Sequence, residues 1–102
     1  MKLKEKPWTY EDYARLEDER RYEVIEGELL EMPAPGKTHQ RVLRKLTIAF
    51  SLFTESQGCG EVYMAPFDVV FDEVNVFQPD LVFVSKERLH IVEERGIFGT
   101  PD

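Results

Sequence analysis

Gln78-Pro79-Asp80, set at the head of the run Leu81-Val82-Phe83-Val84, constrains this chain more than any other segment. From Phe77 to Val84 the β-branched and aromatic residues read as a strand. Its first half nevertheless carries a proline, which cannot donate to a ladder, together with an amide and a carboxylate. Side chains alternate along a strand, so Gln78 and Asp80 share a face with Val82 and Val84. On that reading Asp80 sits at the rim of a buried sheet face, where a carboxylate costs free energy unless a partner such as a divalent cation compensates it. The other reading is a strand that starts late, with Pro79 at its entry and Asp80 as a solvated turn residue. The segment by itself supports both.

The 102 residues suffice for one domain with a single core. A hydrophobic content of 42% fits a packed chain rather than a disordered one. No apolar run is long enough to span a bilayer, and Met1-Lys2-Leu3-Lys4-Glu5-Lys6-Pro7 lacks the apolar core of a leader peptide. Cys59 is the only cysteine, which excludes an intrachain disulfide and a cysteine-based zinc site. A cytoplasmic protein is expected. The net charge of −7 opposes generic nucleic-acid binding. The one net-basic block is residues 37–57, where Lys37, Arg41, Arg44 and Lys45 face a single acid, Glu55.

Thr9 caps a short helix, with Asp12 three residues on and Tyr10, Tyr13, Ala14 and Leu16 on its buried side. The Asp18-Glu19-Arg20-Arg21 run reads as a surface connection. Tyr22–Ile25 and Glu28–Met32 read as a hairpin turning at Glu26-Gly27, and Pro33–Gly36 as a stiff connector. The spacing predicts a helix over 38–57, capped by Thr38 and ended by Gly58, with Leu43, Leu46, Phe50 and Phe53 as its buried stripe. His39 extends that stripe and points inward from the first turn. Gly60–Phe71 reads as one long strand turning through Asp72–Asn75 into the strand after it. Pairing Asp72 with Val76 places Asp68 opposite Asp80, whereas a one-residue slip turns Asp68 to the other face. The sequence admits both registers. Ser85–Leu89 reads as a helical turn and Ile91–Asp102 as a connector.

The stretches 22–29, His39-Gln40-Arg41, 60–69 and Gln78-Pro79-Asp80-Leu81-Val82-Phe83-Val84-Ser85, in this order and spacing, closely resemble the Uma2 family of restriction-endonuclease-like proteins. The resemblance runs from about Tyr10 to the last residue. It implies an α/β (α+β) fold of the PD-(D/E)XK nuclease type: a mixed β-sheet flanked by helices, preceded by an N-terminal helix and hairpin. It implies a Mg²⁺- or Mn²⁺-dependent endonuclease acting on DNA phosphodiesters. Asp80 matches the acid of the family's Pro-Asp pair and is the implied metal ligand, with Asp68 a second ligand in the favourable register. Gln78, His39 and Glu28 also match the family pattern and join the candidate catalytic set. Lys37, Arg41, Arg44 and Lys45 are the candidate DNA contacts. The family's second acid and lysine belong to a further strand, and the chain stops at Gly99-Thr100-Pro101-Asp102. The expectation is therefore a truncated domain lacking its C-terminal core strand and weak in catalysis, or a non-catalytic relative serving as a binding or dimerisation module. A homodimer through the amphipathic helix or an open sheet edge is expected in either case.

Overall fold

The computed structural model describes residues 6–102; Met1–Glu5, part of the segment read above for a leader, lie outside the described residues. The first helix, α1 (Tyr10–Ala14), starts where expected. The Thr9 hydroxyl accepts from the Asp12 amide, and the Asp12 carboxylate takes the Thr9 amide in return. Trp8, Tyr10, Tyr13 and Leu16 pack on the core, whereas Ala14, expected beside them, is exposed. The hairpin β1 (Arg21–Ile25) and β2 (Glu28–Met32) pairs Ile25 with Glu28 and Arg21 with Met32. Both turn residues, Glu26 and Gly27, have positive φ, the twist that suits a two-residue hairpin turn. Strand β1 begins one residue earlier than read, which takes Arg21 out of the surface connection and into the ladder.

The long helix α2 (Lys37–Gln57) starts at Gly36 without a side-chain cap, so Thr38 lies inside it rather than capping it. It ends at Gly58, whose amide bonds the Thr54 carbonyl. Its inward seam is not the expected stripe. Leu43, Thr47 and Ser51 are half-buried and Thr54 is buried, while Leu46, Phe50 and Phe53 are about half exposed. Beyond Leu43, which the two share, the seam runs one residue later than the expected stripe, roughly 100° of helix rotation. Thr47 and Thr54 can turn inward because each hydroxyl donates to its own helix, to the carbonyls of Leu43 and Ser51.

The two long strands expected next are each broken in the middle. Residues 60–71 divide into β3 (Gly60–Met64) and β4 (Asp68–Asp72) at Ala65-Pro66-Phe67. Residues 76–84 divide into β5 (Asn75–Phe77) and β6 (Leu81–Ser85) at Gln78-Pro79-Asp80. Each break holds a proline, which withdraws a ladder donor. The halves still pair as an antiparallel hairpin: β3 with β6, from Gly60↔Ser85 to Met64↔Leu81, and β4 with β5, through Val70↔Val76 and Asp72↔Asn75. An irregularity between Val70 and Asp72 replaces the expected Asp72–Val76 pair. Asp68 therefore does not stand opposite Asp80: it pairs with Gly96, and Asp80 lies in the bend before β6.

Lys86–Ile91 forms a short 3-10 helix, close to the helical turn expected there. The stretch read as a connector instead contains β7 (Val92–Glu93) and β8 (Gly96–Phe98), with β8 parallel to β4. Gly96 is required at that contact, since a Cβ there would lie 2.6 Å from the Asp68 carbonyl oxygen. The result is a mixed six-stranded sheet, ordered β2-β1-β5-β4-β8-β7, and a two-stranded sheet of β3 and β6. Val82 and Val84 of β6 pack on Val69 and Ile97, stacking the small sheet on the large one. A second cluster, Val24, Leu29, Val70 and Val76, lies under α1.

Candidate functional site

The bend Gln78-Pro79-Asp80 joins the two sheets, and its two polar side chains face different surroundings. The Gln78 amide nitrogen donates to the Tyr13 hydroxyl at 2.8 Å and to Asp68 Oδ1 at 3.0 Å. Its Oε1 accepts from Arg21 Nε at 2.9 Å, and its backbone amide donates to Glu23 Oε2 at 2.9 Å. Tyr13 in turn donates to Asp68 Oδ1 at 2.6 Å. Burial, then the hydrogen bond to Asp68, push the Tyr13 phenol well above its usual range, because ionising it would place a second negative charge against the carboxylate. Arg21 Nη2 is buried and makes no hydrogen bond among the described residues. The network holds the first residue of the bend from three elements, α1, β1 and β4.

Asp80 faces the other way. Its Oδ2 lies 2.9 Å from His39 Nε2, in the first turn of α2, with both side chains nearly half exposed. His39 occupies the helical position four residues before Leu43 and so continues the seam that meets the small sheet. The pair opens on a cavity of about 520 Å³ lined by Thr38, Val42, Leu43, Leu46 and Leu81. Strict alternation would have turned Asp80 to the Val82 and Val84 side. The strand begins only at Leu81, so the bend sets the direction of Asp80.

The structure thus brings Asp80 and His39 together, and Gln78 and Asp68 together, in two networks on either side of Pro79. Glu28 joins neither. It is exposed at the β1–β2 turn, beside the β4–β5 turn that Gly27 and Glu26 contact through Val74 and Asn75, at the far end of β5 from Gln78. Lys37, Arg41, Arg44 and Lys45 are all exposed on the first half of α2, the half that carries His39. Sequence reading missed Arg21 and Glu23 as partners of Gln78. The available signal was their two-residue spacing, which sets both on one face of β1 opposite the buried Val24.

Among the described residues no group of three or more His, Cys, Asp and Glu side chains comes together to hold a metal ion. Asp80 is one carboxylate with an imidazole beside it, and Asp68 is tied into the Tyr13 and Gln78 network. A six-coordinate oxygen shell for Mg²⁺ does not fit this donor set by itself.

Among solved structures, the chain is similar to a crystal structure titled as a "putative nuclease belonging to DUF820" from Anabaena variabilis. The TM-score is 0.71 at 21% identity, over 89% of this chain and 50% of that one. That likeness establishes the fold, and the chain spans about half the length of that protein. No curated protein matches. The family described as "Putative restriction endonuclease" matches residues 10–101, nearly the whole sequence and every residue of both networks. The chain belongs to the Uma2 family.

Proposed function

We propose that this chain is a nuclease-class domain that engages the phosphodiester backbone of DNA at the cleft between the start of α2 and the Gln78–Asp80 bend. The observation that carries this reading is the 2.9 Å contact between His39 and Asp80. It sets the acid of the Pro-Asp pair at the end of the one helix that carries a net-basic block. The imidazole holds one carboxylate oxygen, Oδ2, and leaves the other available to accept a hydrogen bond from water or another donor. Arg41, Arg44, Lys37 and Lys45 supply cations along the same half-helix for phosphate contacts. The network around Gln78 acts by position: it fixes the bend from which Asp80 projects.

The Mg²⁺ or Mn²⁺ implied by the resemblance would take Asp80 as one ligand. The described donors fall short of a full shell. The expected activity of this chain alone is accordingly DNA binding with marginal cleavage. The second reading, a non-catalytic binding or dimerisation module, is favoured by the holding of Asp68 and Asp80 in separate networks. Among the described residues no helix is long and apolar enough to cross a membrane. A cytoplasmic setting with access to DNA goes with the nuclease reading.

Fluorescence anisotropy with a short duplex, together with supercoiled plasmid in Mg²⁺ or Mn²⁺, tests the proposal. Binding should weaken steeply with salt, and Arg41→Ala or Arg44→Ala should each lower the salt slope by about one. Any nicking should vanish in Asp80→Ala while duplex affinity changes by less than about threefold. Absence of binding at low salt, or nicking indifferent to Asp80→Ala, overturns the reading. Robust Asp80-dependent nicking by the chain alone would instead overturn the donor count.

A further inference from the structure

The outward side of α2 carries a second pattern, separate from the seam that meets β3. Arg41, Lys45, Ile48, Leu52 and Glu55 follow one another at alternating four- and three-residue steps, the spacing of a coiled-coil seam. All five are exposed, Ile48 at 54% and Leu52 at 64%, the latter the most exposed large apolar side chain among the described residues. Around the helix, Leu52 stands roughly 140–180° from Leu43, Thr47 and Thr54, and Ile48 roughly 160° from Leu46 and Phe50. Leu46 and Phe50 are the residues that line cavities with Leu81 of β6. A strand continuing the small sheet past β6 would run beneath those two and would not reach Ile48 or Leu52. The stripe is therefore open because of the direction it faces, and the edge of the sheet has no part in it.

The order of residues along the stripe is self-complementary. Its first two members are cations, its middle is apolar, and its last member, Glu55, is an acid. A second copy laid antiparallel, with the two-fold axis beside residue 50, sets Ile48 against Leu52 twice and Lys45 against Glu55 twice. A parallel copy would face Lys45 with Lys45 and Glu55 with Glu55. A slip of one heptad in either direction would break the apolar pairs. Among the described residues neither Lys45 nor Glu55 has an ion-pair partner within its own chain. The helix also has no acid in its first turn and no base in its last, so both ends of its dipole are uncompensated. An antiparallel neighbour brings each end beside its opposite.

We propose that the outward stripe of α2 is a docking surface for a second copy of this chain, the two helices antiparallel, with Ile48 and Leu52 at their crossing and a Lys45–Glu55 pair on either side. A contact of three to four turns from each helix falls below the area of most stable dimers, about 1,200 Å² in total, so the association is weak and reversible. Lys37 and Arg41 lie about 14–20 Å along the axis from the crossing, where the two helices diverge, and stay open to solvent. The inference is independent of the nuclease reading, since Ile48, Leu52 and Glu55 take no part in the cleft at His39 and Asp80.

Sedimentation velocity of the whole chain, from about 10 μM to about 1 mM, reads the monomer–dimer equilibrium that is expected. Leu52→Glu puts a charge at the crossing and should weaken the dimer at least about tenfold, with circular dichroism to verify that the helix persists. Lys45→Glu and Glu55→Lys, both at exposed positions, should each weaken self-association by about three- to tenfold. Mixing these two variants should restore it, because every facing charge in the mixed pair is then opposite. A chain that stays monomeric throughout overturns the proposal, as do charge-reversed variants that fail to recover on mixing. So does a dimer indifferent to Leu52→Glu; slowed amide exchange at Leu81 and Phe83 in that dimer would assign the contact to the sheet edge instead.

Discussion

Gln78 is the residue on which the site is built, because its polar groups are all committed, its side-chain nitrogen to α1 and β4 and its side-chain oxygen and backbone amide to β1. A glutamine so held cannot rotate freely, and Pro79 restricts the residue before it to extended backbone. Tyr13 is the partner whose contribution is most readily measured. Its phenol stays protonated above the usual value of 10, while an unfolded chain would lose that proton there. The folded state then binds more protons than the unfolded one, so the Tyr13 contribution is complete below about pH 10 and declines as pH rises beyond it. Tyr63, pushed up to about 12 by its hydrogen bond to Glu61, acts in the same direction. Tyr13→Phe should cost about 1–2 kcal/mol at neutral pH and make the alkaline decline shallower, as read by urea melts between pH 8 and 11. An unchanged alkaline slope would remove Tyr13 from the network's energetics.

Helix α2 departs most from the pattern in its own sequence. Its apolar residues outnumber the positions its seam can cover, and threonine and serine occupy much of that seam instead. Hydroxyls bonded back to their own helix make small, satisfied surfaces that a strand can approach. This assignment predicts an inverted mutational profile. Leu52→Ala, at a side chain 64% exposed, should change stability by no more than about 0.5 kcal/mol. Leu43→Ala, on the seam, should cost about 1–2 kcal/mol, less than a fully buried leucine. Thermal or urea denaturation of the two variants checks the order. His39 belongs to the same seam as Leu43, which explains how a helical position reaches Asp80 while Leu46, Phe50 and Phe53 stay outside.

At the scale of the molecule, the two breaks in the long hairpin let its upper half stack on its lower half. Valines and one isoleucine supply the contact, and Ile97 and Val84 are fully buried in it. Ile97 comes from β8, an element of three residues, so much of the stacking depends on a very short strand. Ile97→Ala should cost about 2–4 kcal/mol and loosen the contact between the sheets. The readout is the urea midpoint, with amide exchange rising together at Val69, Val82 and Val84. Loss of protection confined to β7 and β8 would show that the small sheet holds its place without them.

Local chemistry was enough to place Thr9 at a helix start, Glu26-Gly27 at a turn, Gly58 at a helix end, and the paired order of the 60–71 and 76–84 segments. Those features depend on side chains within a few residues of one another. The order of motifs also carried the family and, with it, the α+β fold. Other outcomes were settled only in tertiary structure. Proline marked two positions that could break a strand, but the direction of each bend came from the burial of Val69, Val82, Val84 and Ile97 together. The Ile91–Asp102 segment looked like a connector because strands of two and three residues carry no legible period; pairing of β8 with β4, and of β7 with β8, makes them strands. The buried face of α2 was decided by which surface fits against β3, and a helix whose apolar residues spread wider than one seam does not specify that by itself. The separation of Asp68 from Asp80 has the same origin: alternation holds only within an unbroken strand, and here the fold breaks the strand between the residues whose alignment mattered.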